Sequence, residues 1–78
     1  MTPGKFEDAR ALAVARWATL HDFDLDGATW ESLFERYHAG HILEAVTLTK
    51  FTRSKNPDII FQRFEFRLEK LAAKHYAA

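Results

Sequence analysis

The spacing of apolar residues along the chain predicts four helices. In four stretches, large apolar residues recur every three or four positions, and the Gly, Asn and Pro residues fall at the ends of these stretches. The predicted helices cover residues 3–21, 29–39, 41–52 and 57–76. We therefore expect an all-α fold, a compact bundle of about four helices in a single helical domain over residues 1–78, with the last helix the longest and most central.

Two helix starts carry a clear signal. Asn56 followed by Pro57 is typical of an N-cap and a first helical position, because Pro lacks the N–H that would be unpaired there. Thr2 and Pro3 repeat this pattern at the first helix. Both helices should begin at these pairs.

The boundary between the second and third helices is predicted from caps and one glycine. Asp26 or Thr29 would cap the start of the second helix, and Gly40 would end it in a left-handed conformation. His38 would then cap the end of the second helix, and His41 would open the third. A helix-turn-helix centred on Gly40 fits poorly, since the residue four positions earlier should be small and is Arg36.

The fourth helix carries two apolar lines instead of one. Each helix has a main apolar face: Phe6, Ala9, Ala13, Trp17 and Leu20; Trp30, Leu33, Phe34 and Tyr37; Ile42, Leu43 and Val46; Phe61, Phe64, Leu68, Leu71 and His75. On the fourth helix, Ile59, Phe66 and Ala73 form a second line at intervals of seven. The favoured interpretation is that this helix is central and covered on both sides within the bundle. The alternative is that the second line contacts another chain.

A formal net charge of zero hides a separation of charge along the chain. Residues 1–49 carry four basic and eight acidic side chains, whereas residues 50–78 carry seven basic and three acidic ones. The two segments therefore have net charges of −4 and +4. Such a separation favours an oppositely charged partner or a second copy of the chain.

Composition excludes several classes of protein. The chain has no cysteine, which removes disulfides, thiolate metal sites and thiol catalysis. It has no signal-peptide pattern and no apolar run near the ~20 residues that span a bilayer. We expect a small cytoplasmic protein with no membrane partner.

An acidic turn resembles the first half of a calcium-binding EF-hand loop. Asp22, Asp24 and Asp26 alternate with apolar residues before Gly27, but Leu33 stands where the loop needs its bidentate Glu. We expect instead a capped turn between helices, with the intervening apolar residues dipping into the core.

No other pattern predicts catalysis. His38 and His41 have metal-ligand spacing without an obvious third ligand, and the chain lacks a nucleophile motif and a Gly-rich phosphate loop. We therefore expect no catalytic residue, metal, cofactor or small-molecule substrate, and no enzyme activity.

The favoured function is a small non-enzymatic protein–protein interaction module, such as an adaptor, inhibitor or regulatory subunit. It would act through its acidic N-terminal half and its basic, aromatic-bearing last helix. The predicted partner-binding residues are Lys55, Ile59, Arg63, Phe66, Arg67 and Lys70. A homodimer through the last helix is one form of this hypothesis.

The alternative is a nucleic-acid-binding accessory protein of phage or plasmid replication or regulation. It would use Lys50, Arg53, Lys55, Arg63 and Arg67 on phosphates, with Phe51 stacking on a base. The stretch 42–68 is similar to helical accessory domains of phage and plasmid replication proteins. The similarity consists of an Ile-Leu-Glu-Ala-Val helix and an Asn-Pro-started helix with Phe and Arg, a general pattern that identifies no family.

Overall fold

The computed structural model describes the backbone of residues 5–77 and the side chains of residues 9–74. It contains α1 (Lys5–Leu20), α2 (Gly27–Arg36), α3 (Ala39–Leu48), a 3₁₀ turn (Thr49–Phe51) and α4 (Pro57–Ala77). The described residues form no strand. The prediction of an all-α bundle is confirmed, and α4 is the longest helix at 21 residues. The cap predicted at Thr2 and Pro3 lies outside the described residues.

Side-chain caps fix the starts of α2 and α4. Asn56 Oδ1 accepts a hydrogen bond from the Asp58 amide at 2.9 Å, as the Asn-Pro pair predicts. At α2 the cap is Asp26, whose Oδ1 accepts from the Thr29 amide at 2.8 Å. Because Asp26 is the cap, α2 begins two residues earlier than predicted.

The predicted boundary between α2 and α3 is wrong. α2 ends at Arg36, Tyr37 is extended, and His38 caps the start of α3 by accepting from the Gly40 amide at Nδ1, 3.1 Å away. No described glycine has a positive φ, so Gly40 is not a left-handed helix end. A Cβ at position 40 would lie 3.2 Å from His38 Nδ1, so the glycine gives the imidazole room to reach the backbone.

Trp17 lies at the centre of the core. Its ring meets the rings of Phe23, Trp30, Phe61 and Phe64 edge-on, at centroid distances between 5.1 and 6.4 Å. Aromatic pairs of this kind contribute about 0.5–1.5 kcal/mol each beyond area burial. The buried cluster draws on all four predicted apolar faces: Ala13, Trp17, Trp30, Leu33, Ile42, Ala45, Val46, Ile60, Phe64 and Leu68.

The middle of the bundle is α3, not α4. α3 packs against α1, α2 and α4, and it carries the buried residues Ala39, Ile42, Ala45 and Val46. It has only one charged side chain, Glu44, and its small alanines let neighbouring helices approach closely. The expectation that α4 is the most central helix fails because α3 occupies that place.

No helix in the described part of the chain combines the length and the hydrophobicity required to cross a membrane.

Candidate functional site

The second apolar line of α4 is exposed. Ile59 and Phe66 retain 38% and 55% of their accessible surface, and Ala73 is exposed as well. Ile60, Phe64 and Leu68 on the other side of the helix are buried. The interpretation that the bundle covers both sides of α4 is therefore wrong. We call Ile59, Phe66 and Ala73 the outer stripe.

Phe66 is the largest side chain of the outer stripe, and a cation covers part of it. The Lys70 ammonium lies 4.6 Å from the Phe66 ring centroid, within the range of a cation–π contact. Such a contact at an exposed site contributes about 0.5–1 kcal/mol and holds the ring in place. Phe66 is thus an exposed but positioned aromatic side chain.

Charges of opposite sign lie on the two sides of the outer stripe. Helical periodicity places Arg63, Arg67, Lys70 and Lys74 on one side, which we call the basic flank. It places Asp58, Glu65 and Glu69 on the other side, the acidic flank. Along α4 no basic residue has an acidic one three or four positions away. Three like-charge pairs are four positions apart, namely Arg63–Arg67, Lys70–Lys74 and Glu65–Glu69. Each such pair destabilises an isolated helix by about 0.2–0.5 kcal/mol.

The acidic flank was not among the predicted site residues. It borders an open cavity of about 490 Å³ whose lining includes Asp58, Phe61 and Glu65. The signal was present in the sequence as acidic residues one helical turn apart.

The basic residues predicted before α4 lie together. Lys50, Arg53 and Lys55 line one open cavity of about 340 Å³, whose apolar wall includes Ile60. Beside them Phe51 is 65% exposed, with the Lys50 ammonium 5.1 Å from its ring centroid. Arg63 and Arg67 do not line this cavity; they lie farther along α4, on the basic flank.

The acidic turn is held by capping hydrogen bonds. Asp24 Oδ1 accepts from the Leu25 amide at 2.8 Å, and Asp26 Oδ1 caps α2 through Thr29. The hydrogen bonds from Thr29 lower the pKa of Asp26. Phe23 and Leu25 pack against the core, as predicted. Among the described residues, no three His, Asp or Glu side chains are grouped so that they could hold a metal ion.

His21 is part of the core margin. Its ring packs against Trp17 at a centroid distance of 4.6 Å, and its Nε2 lies 3.3 Å from Thr49 Oγ1. The buried Thr49 hydroxyl donates to the Val46 carbonyl, so it accepts from an Nε2–H of His21. Burial lowers the pKa of His21, and the nearby Asp22 opposes that shift.

His38 and His41 lie near each other, with ring centroids 5.5 Å apart. His38 Nδ1 accepts a hydrogen bond from the Gly40 amide, so this nitrogen caps the start of α3.

Comparisons with protein-family models, curated proteins and solved structures found no match to this chain. The geometry of the chain itself is therefore the basis for assigning a function.

Proposed function

We propose that this protein is a small non-enzymatic protein–protein interaction module whose contact surface is the outer side of α4. The contact would centre on Ile59 and Phe66, with Arg63 and Lys70 beside them and Arg67 and Lys55 at the margin. The observation that carries the proposal is the exposure of Phe66, an aromatic side chain that is 55% accessible on a regular, capped helix.

Energetics support a protein partner for this surface. Full burial of a Phe or Ile side chain contributes about 1.5–3 kcal/mol, so covering the exposed parts of Phe66 and Ile59 stabilises a complex. Protein interfaces typically place such apolar anchors at their centre and charged side chains at the rim. The outer stripe with its two flanks has this arrangement.

The flanks indicate the chemistry of the partner. A surface that carries both a basic and an acidic flank is complementary to one that presents both signs in the opposite order. A partner that offers an amphipathic helix meets this requirement, and this chain would then act on it as an adaptor, inhibitor or regulatory subunit.

Site-specific photocrosslinking in the cells that produce the protein tests the proposal. Phe66 is replaced by p-benzoylphenylalanine, and the matched control carries the same replacement at Phe51, which is also exposed but lies outside α4. We expect a discrete protein adduct from position 66 that is absent or much weaker from position 51. The mass of the adduct identifies the partner, with twice 9.0 kDa indicating a second copy.

The same experiment can contradict the proposal. Equal yields from both positions, or no protein adduct from position 66, would mean that the outer stripe is not a specific contact. Circular dichroism must first show that the position 66 variant is folded, which we expect because exposed substitutions usually change stability by less than about 0.5 kcal/mol.

A second candidate function is nucleic-acid binding, favoured by the cluster of Lys50, Arg53 and Lys55 beside the exposed ring of Phe51. Binding of a labelled single-stranded oligonucleotide distinguishes the two candidates. Phosphate contacts weaken log-linearly as salt rises and require Arg53 and Lys55 but not Phe66. Contact through the outer stripe requires Phe66 and is less sensitive to salt.

A further inference from the structure

We infer that the partner of the outer stripe is a second copy of this chain, with the two α4 helices packed side by side and parallel. This inference rests on the proposed function, because it names the partner of the same surface. It is carried by the order of charges around Phe66 and by the intervals of seven in the outer stripe.

The charges nearest Phe66 differ in sign from one side of the stripe to the other. Lys70 and Arg63 lie four residues after and three residues before Phe66, which places both on the same side of the helix. Glu69 and Gln62 lie three after and four before, on the other side. Each copy therefore presents a basic edge and an acidic or neutral edge along one apolar line.

Two-fold pairing of such helices can be parallel or antiparallel, and the charges decide between them. In a parallel pair the symmetry axis runs along the helices, so opposite edges meet. Lys70 of each copy then faces Glu69 of the other, offset by about 1.5 Å along the axis, and Arg63 faces Gln62.

An antiparallel pair centred on Phe66 brings identical edges together. Arg63 of each copy would then face Lys70 of the other, at the same offset of about 1.5 Å. Like charges directly opposed disfavour this arrangement. In the parallel pair, Lys70 of each copy instead faces Glu69 of the other, which gives two contacts between opposite charges.

The apolar residues also suit parallel packing. Ile59, Phe66 and Ala73 recur every seven residues, so each can meet its counterpart along a continuous contact between gently supercoiled helices. The core residues Phe64 and Leu68 lie on the opposite side of α4, so the two bundles point away from each other. With three apolar residues per copy, the interface is at the small end of specific interfaces and the dimer is expected to be weak.

Two single charge reversals and their mixture test the inference by sedimentation equilibrium. Lys70→Glu places Glu opposite Glu69 in a parallel homodimer, and Glu69→Lys places Lys opposite Lys70. We expect each variant alone to dimerise about tenfold more weakly than the unaltered chain, since two attractive contacts become repulsive. An equimolar mixture of the two variants should regain dimerisation, because the mixed pair restores both opposite-charge contacts.

Matched controls carry the same change in charge away from α4. Arg10→Glu lies at an exposed position of α1, and Glu31→Lys is exposed on α2. Neither should alter dimerisation by more than about twofold. Circular dichroism of all four variants confirms that each is folded.

Three results would overturn the inference. The first is that the unaltered chain remains monomeric at concentrations up to about 1 mM, which would mean a dimer dissociation constant weaker than that value. Lys70→Glu could strengthen dimerisation, which is the signature of antiparallel packing against Arg63. The mixture could dimerise no better than either variant alone. If position 66 crosslinks to a different protein and any of these results is found, the proposed function stands. Only the identification of the partner as a second copy is then wrong.

Discussion

Phe64 and Phe66 are identical side chains two positions apart on α4, yet one is fully buried and the other is more than half exposed. Helical periodicity explains the contrast, because two residues apart means nearly opposite sides of the helix. The spacing of Phe64 with Leu68 and Phe61 predicted the buried side correctly. Whether Phe66 is buried depends on whether a neighbouring helix covers it, and periodicity alone does not determine this.

His21 gives a prediction about pH at the residue scale. Burial against Trp17 lowers its pKa, so the folded chain holds a proton at His21 less readily than the unfolded chain does. The contribution of His21 to the free energy of unfolding is therefore full above its unfolded pKa of about 6.5 and is lost as pH falls below that value. Urea unfolding at pH 7.5 and pH 5.5 should show lower stability at pH 5.5.

The neutral variant His21→Gln is the control for this effect, because it removes the titrating group at this position. It should reduce the difference in stability between the two pH values while keeping a donor for Thr49. An unchanged difference would show that His21 is not linked to folding.

At the scale of the elements, the four helices and their core faces were predictable, and the helix boundaries were less so. The Asn56–Pro57 start of α4 was correct because one local hydrogen bond determines it. The α2–α3 boundary was misplaced by the assumption that Gly40 supplies a left-handed helix end. The boundary is set by the His38 imidazole, which accepts a hydrogen bond from the Gly40 amide and so caps the start of α3. Histidine is not among the residues that usually cap helix starts.

The α4 cap yields a prediction at this scale. Asn56→Ala removes the side-chain oxygen that accepts from Asp58, and the free energy of unfolding should fall by about 1 kcal/mol. Asn56→Asp keeps an acceptor and adds a negative charge at the helix N-terminus, so it should retain the stability. Urea unfolding of both variants checks the pair. Equal losses in the two variants would contradict a capping role.

At the scale of the whole molecule, the position of α3 and the separation of charge decide what remains exposed. The sequence predicted a central α4 because two apolar lines normally indicate cover on two sides. The bundle instead encloses the apolar α3 and leaves the outer stripe of α4 between two flanks of opposite sign. Candidate binding residues on α4 were predictable from their types, but the exposure of Ile59 and Phe66 and the role of the acidic flank depend on how the other helices pack.

The most direct measurement is a dilution series followed by two-dimensional amide NMR. Four large apolar side chains are exposed among the described residues, namely Leu12, Phe51, Ile59 and Phe66, and the proposed contact buries the last two. The amide shifts of Ile59, Arg63, Phe66 and Lys70 should change with concentration, and those of Leu12 and Phe51 should not. Shifts that are independent of concentration throughout, or that change at Leu12 or Phe51 instead, would contradict the pairing of two copies through the outer stripe.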